Sequence, residues 1–304
     1  MEAATHSDPP APKAPPAFSF WRIWTLAANT LTQLVRMKTF YLLLVFLLVP
    51  VGMANLDIEL TSAQKLRKLA EVSIGVMDTF AWVFAIAATA ILIPSDLEDR
   101  TLYTILAKPV SRLEYLLGKL GGVFLTIGLV LVGMTCILMP ILWFREIQIV
   151  GQEMPRIADW DNAEAQAAYL RDITQFGVRP ELFYAVWAIF LKAVAIASVT
   201  MFLSTFATSS LFTILAGLAI YLIGHAHTMA VNFWMEAGGG AVTQILGKIV
   251  RFVIPDFTTF SVVNRIVEGE VVTLGMLLPI TLLAAAYFVF YTLVSLYFLI
   301  DREF

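Results

Sequence analysis

Six long apolar runs govern what this chain can fold into. They cover about residues 39–55, 74–93, 120–144, 182–206, 211–231 and 274–300. A helix crossing the hydrocarbon core of a bilayer needs about 20 mostly apolar residues. The expected fold class is therefore all-α: a polytopic membrane protein with six transmembrane helices, forming one domain over 39–304. The first run is the shortest and contains Pro50, which membrane helices tolerate better than soluble ones. Composition agrees: 14% of residues are charged, against about 25% in soluble domains.

Charge and cysteine usage exclude other classes. A net charge of −3 offers no basic footprint for nucleic acid. The one cysteine, Cys136, lies in an apolar run, which excludes an intrachain disulfide and a cysteine zinc site.

Ahead of the first span the pattern changes twice. Residues 1–17 form a Pro/Ala-rich tail, expected to be disordered. It lacks the apolar core of a signal peptide. Residues 18–38 read as an N-terminal interfacial amphipathic helix. Phe20, Ile23, Trp24, Ala27, Leu31, Leu34 and Val35 recur at helical spacing, with Arg22, Asn29, Gln33 and Arg36 on the other face. Such a helix suits the headgroup plane; packing against a soluble partner is the alternative.

The connections differ in size. Residues 57–73 read as a short polar loop. Residues 145–181 form a long acidic connection holding one helix, with Asp161 as N-cap, Glu164 three residues on, and Gly177 and Pro180 closing it. The turn at 207–210 is minimal. Residues 232–273 hold a Gly238–Gly240 hinge and an apolar run, Ile245–Ile254, too short to span and suited to a re-entrant or interfacial helix. Lys and Arg number 9 on the N-terminal side of the membrane and 10 on the other, so the positive-inside rule alone gives a tie.

The most informative stretch joins the second and third spans, from Pro94 to Lys119. Ser95 with Glu98, and Ser111 with Glu114, have capping-box spacing. Pro109 disfavours helical geometry at Lys108. The spacing predicts a helix stop near Pro94, a short capped helix, a break, and a second helix entering the third span. An ordinary surface connector is the plainer reading of spacing alone.

The residues themselves resemble a family. Glu98-Asp-Arg-Thr-Leu, then Leu106, then Lys108-Pro-Val-Ser-Arg112 and Leu117-Gly-Lys119 are similar to the loop after the second span of type-2 ABC transporter permeases. The bacterial gliding-motility and copper-enzyme-maturation permeases are the nearest group. The turn Ile254–Phe257 with Phe260–Asn264 is similar too. The resemblance implies that this loop is cytosolic and holds a coupling helix that docks on an ABC ATPase subunit. Leu97, Glu98, Arg100, Thr101, Lys108, Pro109 and Arg112 would then lie at or near that ATPase interface. It also implies cytosolic termini, a bacterial cytoplasmic (inner) membrane location, export as the usual direction, and a dimer with a second permease copy or paralogue. The chain lacks Gly-x-x-x-x-Gly-Lys-[Ser/Thr]. It is therefore not expected to be an enzyme by itself or to bind a cofactor directly; ATP and Mg would enter through the partner subunit.

Other candidate residues have plainer roles beside the functional ones. Lys192 lies near mid-span, where a charge marks a translocation path or is paired, with Asp78 of the second span as the available carboxylate. His225 and Met229 share a helix face and both can ligate copper, but two soft ligands make no metal site. Gly118 and Gly122 form a small-xxx-small pair that permits close helix packing. There is no His-Glu-x-x-His and no Gly-x-Ser-x-Gly, so an intramembrane enzyme is the weaker rival. A permease-like relay moving an envelope partner without transport is the nearer alternative.

Overall fold

The computed structural model describes residues 18–37, 52, 61–98, 110–207, 209–226, 255–261 and 274–301. Among them are seven α-helices and no strand: α1 (Phe20–Arg36), α2 (Ser62–Glu98), α3 (Arg112–Ile157), α4 (Ala163–Thr174), α5 (Glu181–Phe206), α6 (Ser210–His225) and α7 (Leu274–Asp301). A 3-10 turn covers Phe257–Phe260. Four helices, α2, α3, α5 and α7, are long and apolar enough to cross a membrane; α6 is apolar but shorter. The tail 1–17, nearly all of the expected first span and residues 227–254 lie outside the described residues.

The second and third helices depart from the apolar runs that announced them. α2 begins at Ser62, not after Ser73. From Ser62 onward the stretch read as a polar loop is helical because Leu66 and Leu69 are buried at helical spacing, too sparsely for hydropathy to register. α2 also continues through Pro94 to Glu98, so Ser95 sits inside a helix and starts none. Burial of Leu92, Ile93 and Asp96 around the proline holds the turns on which it falls; membrane helices absorb proline in this way. α3 runs on past Phe144 to Ile157. Ile149, Glu153 and Ile157 form its buried edge there. The cap of α4 is Asn162, not Asp161: its side-chain oxygen accepts from the N–H groups of Glu164 and Ala165.

α2 and α3 form one antiparallel hairpin, fixed at both ends. At the hairpin end Asp96 meets Lys119; at the opposite end the Ser62 hydroxyl donates to Glu153 Oε1 at 2.6 Å. Residues 62 to 96 and 119 to 153 cover the same length of helix, about 51 Å at 1.5 Å per residue. That exceeds the ~30 Å hydrocarbon core, so the hairpin extends beyond the bilayer.

α5 is the central post. It is buried from Leu182 to Thr205 along most of its length and packs on α2, α3, α6 and α7. Two of its buried hydroxyls are satisfied within the helix: Ser198 donates to the Val194 carbonyl and Thr200 to that of Ile196. α7 runs parallel to α5. Trp187 Nε1 donates to Thr281 Oγ1 at one end, and the Phe202 and Phe206 rings pack at steep angles against Phe298 at the other. α6 returns beside α5, and the 3-10 turn packs on both.

Candidate functional site

The first two turns of α3 gather the surrounding elements. Ser111 caps the helix: its hydroxyl accepts from the Glu114 N–H, and the Glu114 carboxylate accepts from the Ser111 N–H at 2.8 Å. The same carboxylate, fully buried, also accepts from the Ser19 N–H at 2.7 Å and faces the Arg22 guanidinium at 3.8 Å. One glutamate thus serves its own helix and the start of α1.

The two expected small residues lie under α1. A Cβ on Gly118 would stand 2.5 Å from the Leu26 Cβ, and one on Gly122 would overlap Thr30 and lie 2.8 Å from the Ala27 carbonyl oxygen. Close approach of backbones is what small-xxx-small pairs permit. α1 follows α3 in step, residues 22, 26 and 30 meeting 114, 118 and 122. Its packed edge is Ala27, Thr30 and Leu34. Phe20 and Trp24, grouped with that edge by spacing, are exposed with Phe18 and Trp21.

One turn further, Lys119 Nζ lies 2.7 Å from Asp96 Oδ2, with both side chains more than nine-tenths buried. The Tyr115 hydroxyl donates to the same oxygen at 2.5 Å, and Lys119 also lies over the Tyr115 ring. Finally, Arg112 donates to the Leu299 and Ile300 carbonyl oxygens at 2.6 and 2.7 Å. Those carbonyls belong to the last turn of α7, where helix geometry leaves acceptors unpaired and a cation is favourable. Sequence reasoning placed Arg112 toward a partner and passed over Asp96, Tyr115 and Lys119. Charged residues flanking both sides of one hairpin were the available signal.

The remaining hairpin candidates divide by position. Leu97 and Glu98 lie in the last turn of α2, though their side chains, like that of Ser95, are outside the described residues. Arg100, Thr101, Lys108 and Pro109 are wholly outside them.

A second charged site lies within the spans. Lys192 of α5 donates to both oxygens of Asp78 on α2, at 3.1 and 2.9 Å. Its ammonium also sits 5.5 Å from the centre of the Tyr221 ring. Trp82 stacks on Tyr221 with ring centroids 4.1 Å apart, and His225 stacks on it at 5.9 Å. His225 is thus part of an aromatic stack; Met229 lies outside the described residues. Among the described residues no cluster of three or more His, Cys, Asp or Glu could hold a metal.

At the opposite end, Glu153 knits three helices. Besides Ser62 it accepts from the Tyr169 hydroxyl at 3.4 Å and pairs with Arg156 at 3.1 Å. Burial first, and then the Glu153 carboxylate, push the Tyr169 phenol above its ordinary range.

A search of the curated proteins finds no match. The family model described as "ABC-2 family transporter protein" matches residues 24–299, from α1 to the last turns of α7. The chain therefore belongs to the ABC-2 family, the multi-pass membrane subunits of ABC transporters.

Proposed function

We propose that the chain is the permease subunit of an ABC exporter, a dimer of permeases driven by a separate ATPase that binds ATP and Mg. The proposed assembly sits in the cytoplasmic (inner) membrane with both termini and the 99–111 connection in the cytosol. It has six spans: the four long helices and the apolar runs near 211–231 and 39–55. The observation that carries this reading is the α2–α3 hairpin, a lever longer than the bilayer and pinned at both ends. A push on the 99–111 connection would pass into both helices, because the Asp96–Lys119 contact joins them just behind it. Leu97, Glu98, Arg100, Thr101, Lys108 and Pro109 would meet the ATPase, while Arg112 anchors α7 behind them. The Asp78–Lys192 pair would hold α2 to α5 during this motion, or line the path.

The test is co-purification followed by an ATPase assay in liposomes. The chain is expected to bring down an ABC ATPase and alter its rate, and Thr101→Pro to abolish that effect. A chain that recruits no ATPase, or a reporter within 99–109 found on the external face, overturns the proposal.

One observation favours a second reading, a mechanical relay. The Glu153-centred bundle of α2, α3 and α4 projects at the far end of the lever. A photo-crosslinker at exposed Trp160 that captures an envelope protein only during ATP turnover, with no substrate moved, would select it.

A further inference from the structure

We infer that Asp96 and Lys119 are positioning residues that set the stroke: their buried pair makes the start of α3 the point where force is distributed to α1, α2 and α7. The inference rests on the proposed function and deepens it. Residues 111–122 hold four independent attachments. Glu114 takes α1 through Ser19 and Arg22. Gly118 and Gly122 take it again through direct backbone contact. Lys119 and Tyr115 take α2 through Asp96. Arg112 takes α7 through its last carbonyls.

These attachments differ in kind. The α1 contacts combine close packing at Gly118 and Gly122 with a carboxylate shared between a backbone N–H and the part-exposed Arg22, and the α7 contact is a charged cap at a helix end. Only the α2 contact is an ammonium–carboxylate pair shut away from water, and it lies just behind the connection that a partner would grip. A buried charged hydrogen bond is directional and fixes relative orientation, whereas an apolar contact of equal volume packs without defining an angle. Tyr115 adds a second donor from the next turn to the same oxygen, which restricts the carboxylate to one rotamer. The pair therefore converts displacement of the 99–111 connection into joint movement of α2 and α3, with α1 and α7 carried along. Without it, the same displacement would splay the two helices.

The experiment uses the full chain with its co-purified ATPase in liposomes. Lys119→Met leaves the Asp96 carboxylate buried without its counter-cation, so it can fail by unfolding. The informative variant is therefore the double replacement Asp96→Leu/Lys119→Met, made together with Tyr115→Phe, which removes both charges and the hydroxyl that donates to Asp96. Three quantities are read: thermal stability, ATPase affinity, and stimulation of ATP hydrolysis. The inference expects the triple variant to melt near the wild type and bind the ATPase with unchanged affinity. Its stimulation should fall about fivefold or more. Wild-type stimulation in the triple variant would overturn it, leaving the pair a packing element. Loss of ATPase affinity in parallel with stimulation would also overturn it, since the pair would then act on docking. A wild-type chain that binds no ATPase would overturn the proposed function itself, an outcome visible before any variant is made.

Discussion

Lys192 reaches from the middle of α5 to grip both oxygens of Asp78 on α2, at 2.9 and 3.1 Å. Lys192 is 3% exposed and Asp78 24%, so the two charges are unequally shielded. A lone charge at this depth is costly. Removing one partner strands the other, at about 3–5 kcal/mol for a buried pair. Asp78→Ala and Lys192→Met should each lower the melting temperature in detergent, and the double replacement Asp78→Leu/Lys192→Met should recover much of the loss. If the double variant is stable but inactive in transport, the pair belongs to the path or its gate. If it is fully active, the pair is structural.

The glycines supply an internally controlled series. Gly118→Ala and Gly122→Ala drive a methyl group into α1, and overpacking of this kind costs about 1–3 kcal/mol. Gly133 and Gly151, on the same helix, have nothing within 4 Å of the added carbon. Alanine at those two positions is expected to be neutral or slightly stabilising. Limited proteolysis between α1 and the first span should speed up for the first pair only.

Glu153 makes the opposite end testable on its own. Glu153→Ala removes the partner of Ser62 and Tyr169 and is expected to cost about 1–3 kcal/mol. Hydrogen exchange should rise in α4 and the first turns of α2. Exchange at Asp96 and Lys119, about 51 Å away along the hairpin, should stay unchanged.

Cys136 reports membrane placement. It is exposed on α3, 17 residues beyond Lys119 and so about 25 Å along the helix. A thiol facing lipid is out of reach of charged, water-borne reagents. Charged maleimides should label it in denaturing detergent and leave it untouched in sealed membranes. Rapid labelling in membranes would place this face of α3 against water.

How much was legible in advance follows from the kind of physics each feature uses. The cores of α2, α3, α5 and α7 were plain, because hydropathy is summed over many residues and needs no neighbours. Their ends were not. Leu66, Leu69, Ile149 and Ile157 extend α2 and α3 past the apolar runs through packing on one edge, which a window average dilutes. Pro94 was misread as a stop because the local rule forbids it while the surrounding burial tolerates it. The Ser111–Glu114 cap, by contrast, is short-range chemistry between residues three apart, and spacing alone expressed it.

The sequence by itself determined that this is a helical membrane protein with a capped connection of permease type, since apolar length and local capping are properties of consecutive residues. The tertiary structure decided which groups meet across the fold. It joins Asp96 with Lys119 and Glu114 with Ser19, 23 and 95 positions apart, and Lys192 with Asp78, the carboxylate the sequence offered, 114 positions away. No periodicity encodes such pairs. They follow from antiparallel packing and from the close approach that Gly118 and Gly122 allow.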